Sequence, residues 1–310
     1  MKKLFITIAA VILGASLAFA QDLATVTETY NSGIAAFQAG NQAEALAQLQ
    51  SALSAAEALG EDGADIVANC KTAIPGVQLS IAKGLTNKQQ YDEAIAAFKK
   101  AEEFAAAYGD VNVATEIVDL LPKVFAQKGN SLLKEKDYEG AVKAYDEVLA
   151  VNPEDGAIAL RKGQALSALG NKDEAVKAFE IAAACGQADA ANKQLSNIYL
   201  KDAANLLKAK NYAGAVESAL KVNEYGENAK AYQIAGQASQ LQKKNNAAIQ
   251  YFEKYLELSP SAANAGQIAF TVGALYQQAG NKAKAIEFYQ KASSDAKLGA
   301  EAQKQIAALK

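Results

Sequence analysis

The segment "KEKDYEGAVKAYDEVLAVNP" at residues 134–153 decides the fold, because its pattern returns along the chain. Residues 245–260 read "NNAAIQYFEKYLELSP", and residues 281–292 read "NKAKAIEFYQKA". Each segment follows a polar turn and places an alanine four residues before a large aromatic side chain. Residues at offsets of four and seven lie on one face of an α-helix. The pattern therefore predicts a recurring amphipathic helix.

Seven alanines, called here the anchor alanines, align the copies. They are Ala45, Ala94, Ala141, Ala175, Ala215, Ala248 and Ala285. Their spacings are 49, 47, 34, 40, 33 and 37 residues. Leucine or an aromatic residue stands four residues after six of the anchors, and Ala219 is the exception. Seven copies in register predict a structure made of repeated units.

A second helix is predicted before each anchor. Twelve residues before the anchors every residue is Gly or Ala, and nine residues before them most are bulky and apolar. Turn sequences such as "AGNQ", "LGNK" and "AKNY" separate the two helices, with Gly or Lys ending one helix and Asn or Asp beginning the next. Each unit is thus predicted to be a pair of antiparallel helices. The alanine-rich composition, with four prolines in 310 residues, also favours an all-α chain.

These residues resemble the tetratricopeptide repeat, a helical hairpin of about 34 residues that stacks with its neighbours. The resemblance is carried in residues 122–155 by Phe125, Gly129, Tyr145 and Pro153 together with the anchor. It implies an all-α superhelical solenoid of about seven helix pairs over residues 21–310. The best-matched repeats span about 122–155, 156–189, 229–262 and 266–299, and degenerate repeats span about 26–60, 75–109 and 196–228.

The longer spacings predict extended first helices. The segments before the second and third anchors gain 13 to 15 residues, read as apolar helix, and carry Pro75 and Pro122 in equivalent places. The smaller insertion before Ala215 is predicted to lengthen a helix or a loop.

Residues 1–20 have the features of a cleavable signal peptide. "MKK" precedes the apolar run "LFITIAAVILGASLAFA", and Ala18 and Ala20 fit the A-x-A cleavage pattern. We expect cleavage after Ala20 and a periplasmic or secreted protein without an integral membrane span. A transmembrane anchor is the alternative for this segment.

The charge pattern argues against nucleic acid as a partner. From Gln21 onward the chain has 29 basic and 34 acidic residues and no basic run. Cys70 and Cys185 are interpreted as separate small apolar side chains, and a disulfide is the alternative. The sequence has no histidine and no phosphate-binding or nucleophile motif. We therefore expect no enzyme activity and no cofactor.

The resemblance also implies a binding groove lined by the first helices. Residues at or next to its lining positions are Tyr30, Phe37, Asn130, Lys134, Arg161, Gln164, Lys201, Lys208 and Phe270. Family members that grip a peptide carboxylate use Lys and Asn there; Asn130 matches, whereas Ala126 stands where lysine is expected. The four cations among the candidates predict a cationic strip for an acidic or C-terminal peptide. The alternative is that these side chains are solvated or pack between repeats.

Three functional hypotheses follow from this pattern. The first is an exported, non-catalytic scaffold that binds a protein or peptide partner in the cell envelope. The second is a structural subunit of an envelope complex. The third is a glycan- or peptidoglycan-associated binding protein, which the absence of tryptophan disfavours.

Overall fold

The computed structural model describes residues 22–310, which form α-helices joined by turns. The predicted signal peptide at 1–20 lies outside the described residues. The chain divides into two compact units, with the boundary after Lys128, and each is described by itself. Unit 1 comprises residues 22–128 and unit 2 comprises residues 129–310. The predicted all-α class and the repeated helix pairs are confirmed in both units.

Unit 1 contains two hairpins and the first part of a long helix. Its helices are α1 (Leu23–Gln38), α2 (Gln42–Ala58), α3 (Ala64–Asn87), α4 (Tyr91–Tyr108) and the beginning of α5 (Val111–Glu135). The side chain of Asp22 caps α1 by accepting a hydrogen bond from the backbone N–H of Thr25 at 2.8 Å.

Unit 2 continues the hairpins to the C-terminus. Its helices after α5 are α6 (Tyr138–Val151), α7 (Gly156–Leu169), α8 (Lys172–Ala182), α9 (Ala188–Lys208), α10 (Tyr212–Glu224), α11 (Ala229–Leu241), α12 (Asn245–Leu258), α13 (Ala265–Gln278), α14 (Lys282–Ala292) and α15 (Gly299–Leu309). The odd-numbered helices up to α13 are the first helices of their hairpins, and the even-numbered helices are the second. The last helix, α15, places Ile306 and Leu309 against the core of the α13–α14 hairpin.

The anchor alanines are the most buried feature of the repeat. All seven have no exposed surface. Four of the glycines that precede them by twelve residues lie under an aromatic ring; a Cβ added at Gly129, for example, would stand 2.6 Å from Cε1 of Tyr145. The first and second helices of a hairpin approach closely because this position is small. The predicted register is confirmed.

Each of the seven hairpin turns contains one residue with a left-handed backbone, five residues before the anchor. Gly40, Gly170 and Gly280 fill three of these positions, and Gln89, Lys136, Lys210 and Lys243 fill the others, with φ between 59° and 84°. The left-handed residue reverses the chain after the first helix, and the amide that follows it then bonds a carbonyl of that helix, as from Asn171 to Leu166 at 3.0 Å.

The helices α3 and α5 have the predicted N-terminal extensions, and both contain their proline internally. The extension of α3 buries Ile66, Cys70 and Ile74 in the core built by α1 and α2. The extension of α5 buries Val113 and Ile117 against α4. Each extension therefore serves as a third helix that covers the preceding hairpin.

The insertion before Ala215 lengthens α9, in agreement with the prediction. A π-type turn at 183–187 leads into α9, and Gly186 has a left-handed backbone there with φ of 85°. In the part of the chain from residue 22 onward, no helix is both long and apolar enough to cross a bilayer.

Candidate functional site

Carboxylates are unevenly distributed between the two kinds of helix in unit 2. Every second helix, from α6 to α14, contains at least one Asp or Glu. The first helices α7, α11 and α13 contain none. Because consecutive hairpins stack in order, the first helices form one face of the unit, which is called here the first-helix face. This face is depleted of negative charge.

The four predicted cations all lie on first helices of unit 2 and are exposed. Lys134 is on the last turn of α5, Arg161 is on α7, and Lys201 and Lys208 are on α9. None of the four forms an ion pair with a carboxylate of unit 2. Many other lysines of the unit are paired, as Lys162 is with Asp146 at 2.5 Å. The four charges therefore remain available to a ligand.

Asn130 is already engaged within the hairpin. Its side-chain oxygen accepts a hydrogen bond from the hydroxyl of Tyr145 at 2.9 Å. Burial raises the pKa of Tyr145, and the nearby positive charge of Arg161 opposes that rise. The structure thus brings Asn130, Tyr145 and Arg161 together, and the amide of Asn130 holds the core tyrosine. Gln164 is exposed, one turn after Arg161 on α7.

A small cleft beside Lys201 contains polar groups that the sequence reading did not single out. Ser167, Lys172, Asp202 and Asn205 line it together with Lys201. Asp202 accepts hydrogen bonds from Lys172 Nζ and, outside the cleft, from Ser218 Oγ, both at 2.7 Å. Burial alone raises the pKa of Asp202, but the hydrogen bonds from Lys172 and Ser218 outweigh burial and lower it. This network ties α9 to the second helices on either side of it.

A signal for this network was present in the sequence. Lys162 and Asp202 occupy the same place, thirteen residues before their anchors, and each pairs with the second helix of the preceding hairpin. In unit 1, Lys128 of α5 occupies this place, thirteen residues before Ala141, and pairs with Asp92 of the second helix α4. Charges at that repeat position were therefore candidates for contacts between hairpins.

The aromatic candidates differ in exposure. Phe270 packs its ring at 5.1 Å from the ring of Tyr289, inside the hairpin of α13 and α14. Tyr30 of unit 1 packs against the core of α1 and α2. Phe37, also in unit 1, is 37% exposed. Of the three, Phe37 presents the most surface for a ligand.

The buried cysteine is a poor nucleophile. Cys70 has no exposed surface, and burial raises its pKa to about 11. Its thiol therefore stays protonated near neutral pH, and its contacts are those of a small apolar side chain.

Comparison with protein families agrees with the hairpin geometry. Residues 127–190 match a family described as "Tetratricopeptide repeat", and a second family of that description matches residues 229–261 and 267–294. These segments of the chain are tetratricopeptide repeats. The matched segments hold four anchor alanines, and the other three share the same buried anchor and left-handed turn. A scaffold for protein interaction is the role that tetratricopeptide repeats support.

Comparison with solved structures gives only weak global similarity. The structure titled "Crystal structure of MamA protein" is 18% identical, with a TM-score of 0.36, over 59% of this chain and 96% of that one. YrrB, titled a TPR protein with an unusual peptide-binding site, is 21% identical with a TM-score of 0.33 over 58% and 91%. The TPR2AB domain of yeast Sti1, in complex with pHSP90, is 16% identical with a TM-score of 0.37 over 92% and 98%. Similarities this low carry no argument about function. No curated protein matches the sequence.

Proposed function

We propose that the protein is an exported, non-catalytic scaffold that binds an acidic segment of a partner protein on the first-helix face of unit 2. The observation that carries the proposal is the set of four exposed cations without carboxylate partners in unit 2. Arg161 stands on α7, which lacks Asp and Glu. Lys134 stands on α5, and Lys201 and Lys208 stand on α9, where the carboxylates of unit 2 are Glu135, Asp189 and Asp202. A carboxylate-bearing segment is attracted by these four cations, because Asp202 is already paired with Lys172 and the helices α7, α11 and α13 add no carboxylate.

The charge of unit 2 supports the same choice of ligand. Residues 129–310 carry 22 Lys and Arg against 20 Asp and Glu, whereas residues 22–128 carry 7 against 14. An acidic ligand is therefore favoured by unit 2 and disfavoured by unit 1. The cleft that contains Lys201 lies on the same face and offers hydroxyl and amide groups to a bound main chain.

The binding test uses a fluorescent decapeptide of glutamate with a free C-terminus. The variant K134Q/R161Q/K201Q/K208Q is compared with K143Q/K177Q/K297Q/K310Q, which removes four exposed lysines of unit 2 that lie outside the first helices and form no ion pair with a carboxylate of unit 2. Exposed charge pairs contribute about 0.5 kcal/mol each, so the first variant is expected to bind roughly 30-fold more weakly. Its affinity should also depend less on salt.

The control variant separates a local site from net charge, because both variants lose four positive charges. If the two variants bind the peptide equally well, the first-helix face is not the site. An amidated peptide measures what the terminal carboxylate adds, and an uncharged glutamine decapeptide gives the background.

Export is proposed from the pattern of residues 1–20. Secretion in a bacterial host followed by intact-mass measurement should give a chain that begins at Gln21. A chain that keeps "MKKLF" would contradict this part of the proposal and leave the binding test unaffected.

A further inference from the structure

Five lysines stand at three consecutive hairpin turns of unit 2. They are called here the lysine edge and are Lys208, Lys210, Lys243, Lys244 and Lys282. All five are exposed, and none is paired with a carboxylate of unit 2. The surrounding segments 207–216, 240–248 and 277–286 contain no Asp or Glu. The edge is therefore purely positive.

The three turns lie on the same side of the unit. Asn245, at the start of α12, donates a hydrogen bond to Gln278 at the end of α13, with a distance of 3.3 Å. The α9–α10 and α11–α12 hairpins share a core in which Leu207, near the end of α9, packs with Ile234 and Ala235 of α11. Lysines that are 33 to 39 residues apart in the sequence are thus gathered along one row of turns.

Two of these lysines occupy a backbone conformation that favours glycine. Lys210 and Lys243 have φ of 62° and 61°, at the position that Gly170 and Gly280 fill in neighbouring turns. A residue with a Cβ is disfavoured there. These two turns therefore have a lysine where glycine would be easier to accommodate.

The turns on the other side of the hairpins have a different charge. The turns that lead from a second helix to the next first helix contain Glu154, Asp155, Glu227 and Asp295. In the α9–α14 region the only charged residue in these turns is Glu227, so the positive charge of the turns is confined to the hairpin turns.

We propose that the lysine edge docks unit 2 on the surface of an anionic lipid bilayer. A row of hairpin tips is an outward-facing feature, which suits a flat surface better than an extended peptide that needs a groove. Lysines near such a surface interact with its negative potential. Leu241 is 56% exposed next to the turn of Lys243 and can enter the headgroup layer.

The test measures sedimentation of the chain beginning at Gln21, which contains every described helix, with phosphatidylglycerol–phosphatidylcholine vesicles. We expect binding that falls with added salt, and no binding to pure phosphatidylcholine. The variant K210Q/K243Q/K244Q/K282Q is expected to lower the partition coefficient roughly 1,000-fold, at about 1 kcal/mol for each lysine. The control K143Q/K177Q/K297Q/K310Q, with the same change in net charge, should lower it less than about threefold.

A second variant separates charge from folding. K210G/K243G removes two charges and relieves two left-handed non-glycine residues, so its unfolding midpoint should rise while its vesicle binding falls. Replacement of the four lysines by arginine should preserve binding, because the charge is kept.

Several results would overturn the proposal. They are equal binding to neutral and anionic vesicles, no binding at all, or equal losses in the lysine-edge and control variants. Self-association abolished by the lysine-edge variant, without vesicle binding, would assign the edge to a second copy of the chain instead. The lysine-edge variant keeps Lys208, so it should bind the glutamate decapeptide as the wild type does. Failure of the lipid-binding proposal can therefore be told apart from failure of the peptide-binding proposal for the first-helix face.

Discussion

The contact between Gly129 and Tyr145 allows a test of how each hairpin is held together. Tyr145 has no exposed surface, and its ring lies over Gly129. Tyr145→Ala should lower the free energy of unfolding by about 3–5 kcal/mol, since it removes a buried ring and leaves Asn130 without its partner.

Gly129→Ala tests the same contact from the other helix. The new Cβ would stand 2.6 Å from Cε1 of Tyr145, whereas ordinary contact begins near 3.4 Å. The helices must therefore separate by most of an ångström, at a cost of about 1–3 kcal/mol. The higher helix propensity of alanine offsets only about 0.5–1 kcal/mol of this cost, so the net effect of Gly129→Ala is destabilising.

The double variant decides whether the steric contact is the cause. Without the ring, the Cβ introduced at position 129 has room, and Gly129→Ala should become stabilising by about 0.5–1 kcal/mol. The coupling energy between the two substitutions should then be about 2 kcal/mol. Gly84→Ala in α3 is the matched control, because a Cβ there meets nothing within 4 Å, and it should stabilise the protein.

The measurement is denaturant unfolding of the wild-type chain, the two single variants, the double variant and the control, followed by helical circular dichroism, with the slope of the transition compared between them. If Gly129→Ala costs as much without the tyrosine ring as with it, the small-residue position does not act through this contact, and the packing argument for all the hairpins is wrong.

Three further changes test other features of the fold. Gln89→Gly and Lys136→Gly should each stabilise the protein by about 1 kcal/mol in thermal or denaturant unfolding, because both residues have a left-handed backbone, whereas Gly170→Ala should cost a similar amount. Asp202→Asn should reduce stability at neutral pH and should make the loss of stability in acid less steep. The reason is that the pKa of Asp202 is lowered by folding from 3.8, so the carboxylate contributes stability above pH 3.8 and loses that contribution as the pH falls through the folded-state pKa. Tyr276→Phe should reduce the loss of stability in alkali. Burial and a hydrogen bond to Glu253 raise the pKa of Tyr276 to about 12, so the protonated hydroxyl contributes stability that is fully present below pH 10 and is lost as the pH rises through 12.

The hairpin register could be read from the sequence because it depends on local spacing. The anchors and the residues twelve before and four after them contact one another within a hairpin, so the pattern of small and large residues is sufficient. The exception, Ala219, is also buried and lies in one core cluster with Ala203.

Contacts between hairpins cannot be read from the spacing within one hairpin, although a charge thirteen residues before an anchor indicates where such a contact can form. The network of Asp202, Lys172 and Ser218 joins three helices, and the lysine edge gathers residues from three turns. A search for basic runs along the chain cannot find a positive surface whose members lie dozens of residues apart. Likewise, Asn130 matched a binding position in the resembling family, but the sequence could not show that its amide holds Tyr145.

The prolines inside α3 and α5 have a consequence for how these helices move. Pro75 and Pro122 have no N–H, so the carbonyls of Lys71 and Val118 lack the usual donor four residues later in the helix. The backbone ladder of each long helix is interrupted where the extension joins the repeat. The extension can therefore open without unwinding the remainder of the helix, and amide hydrogen exchange should divide each of these helices into two segments with different protection.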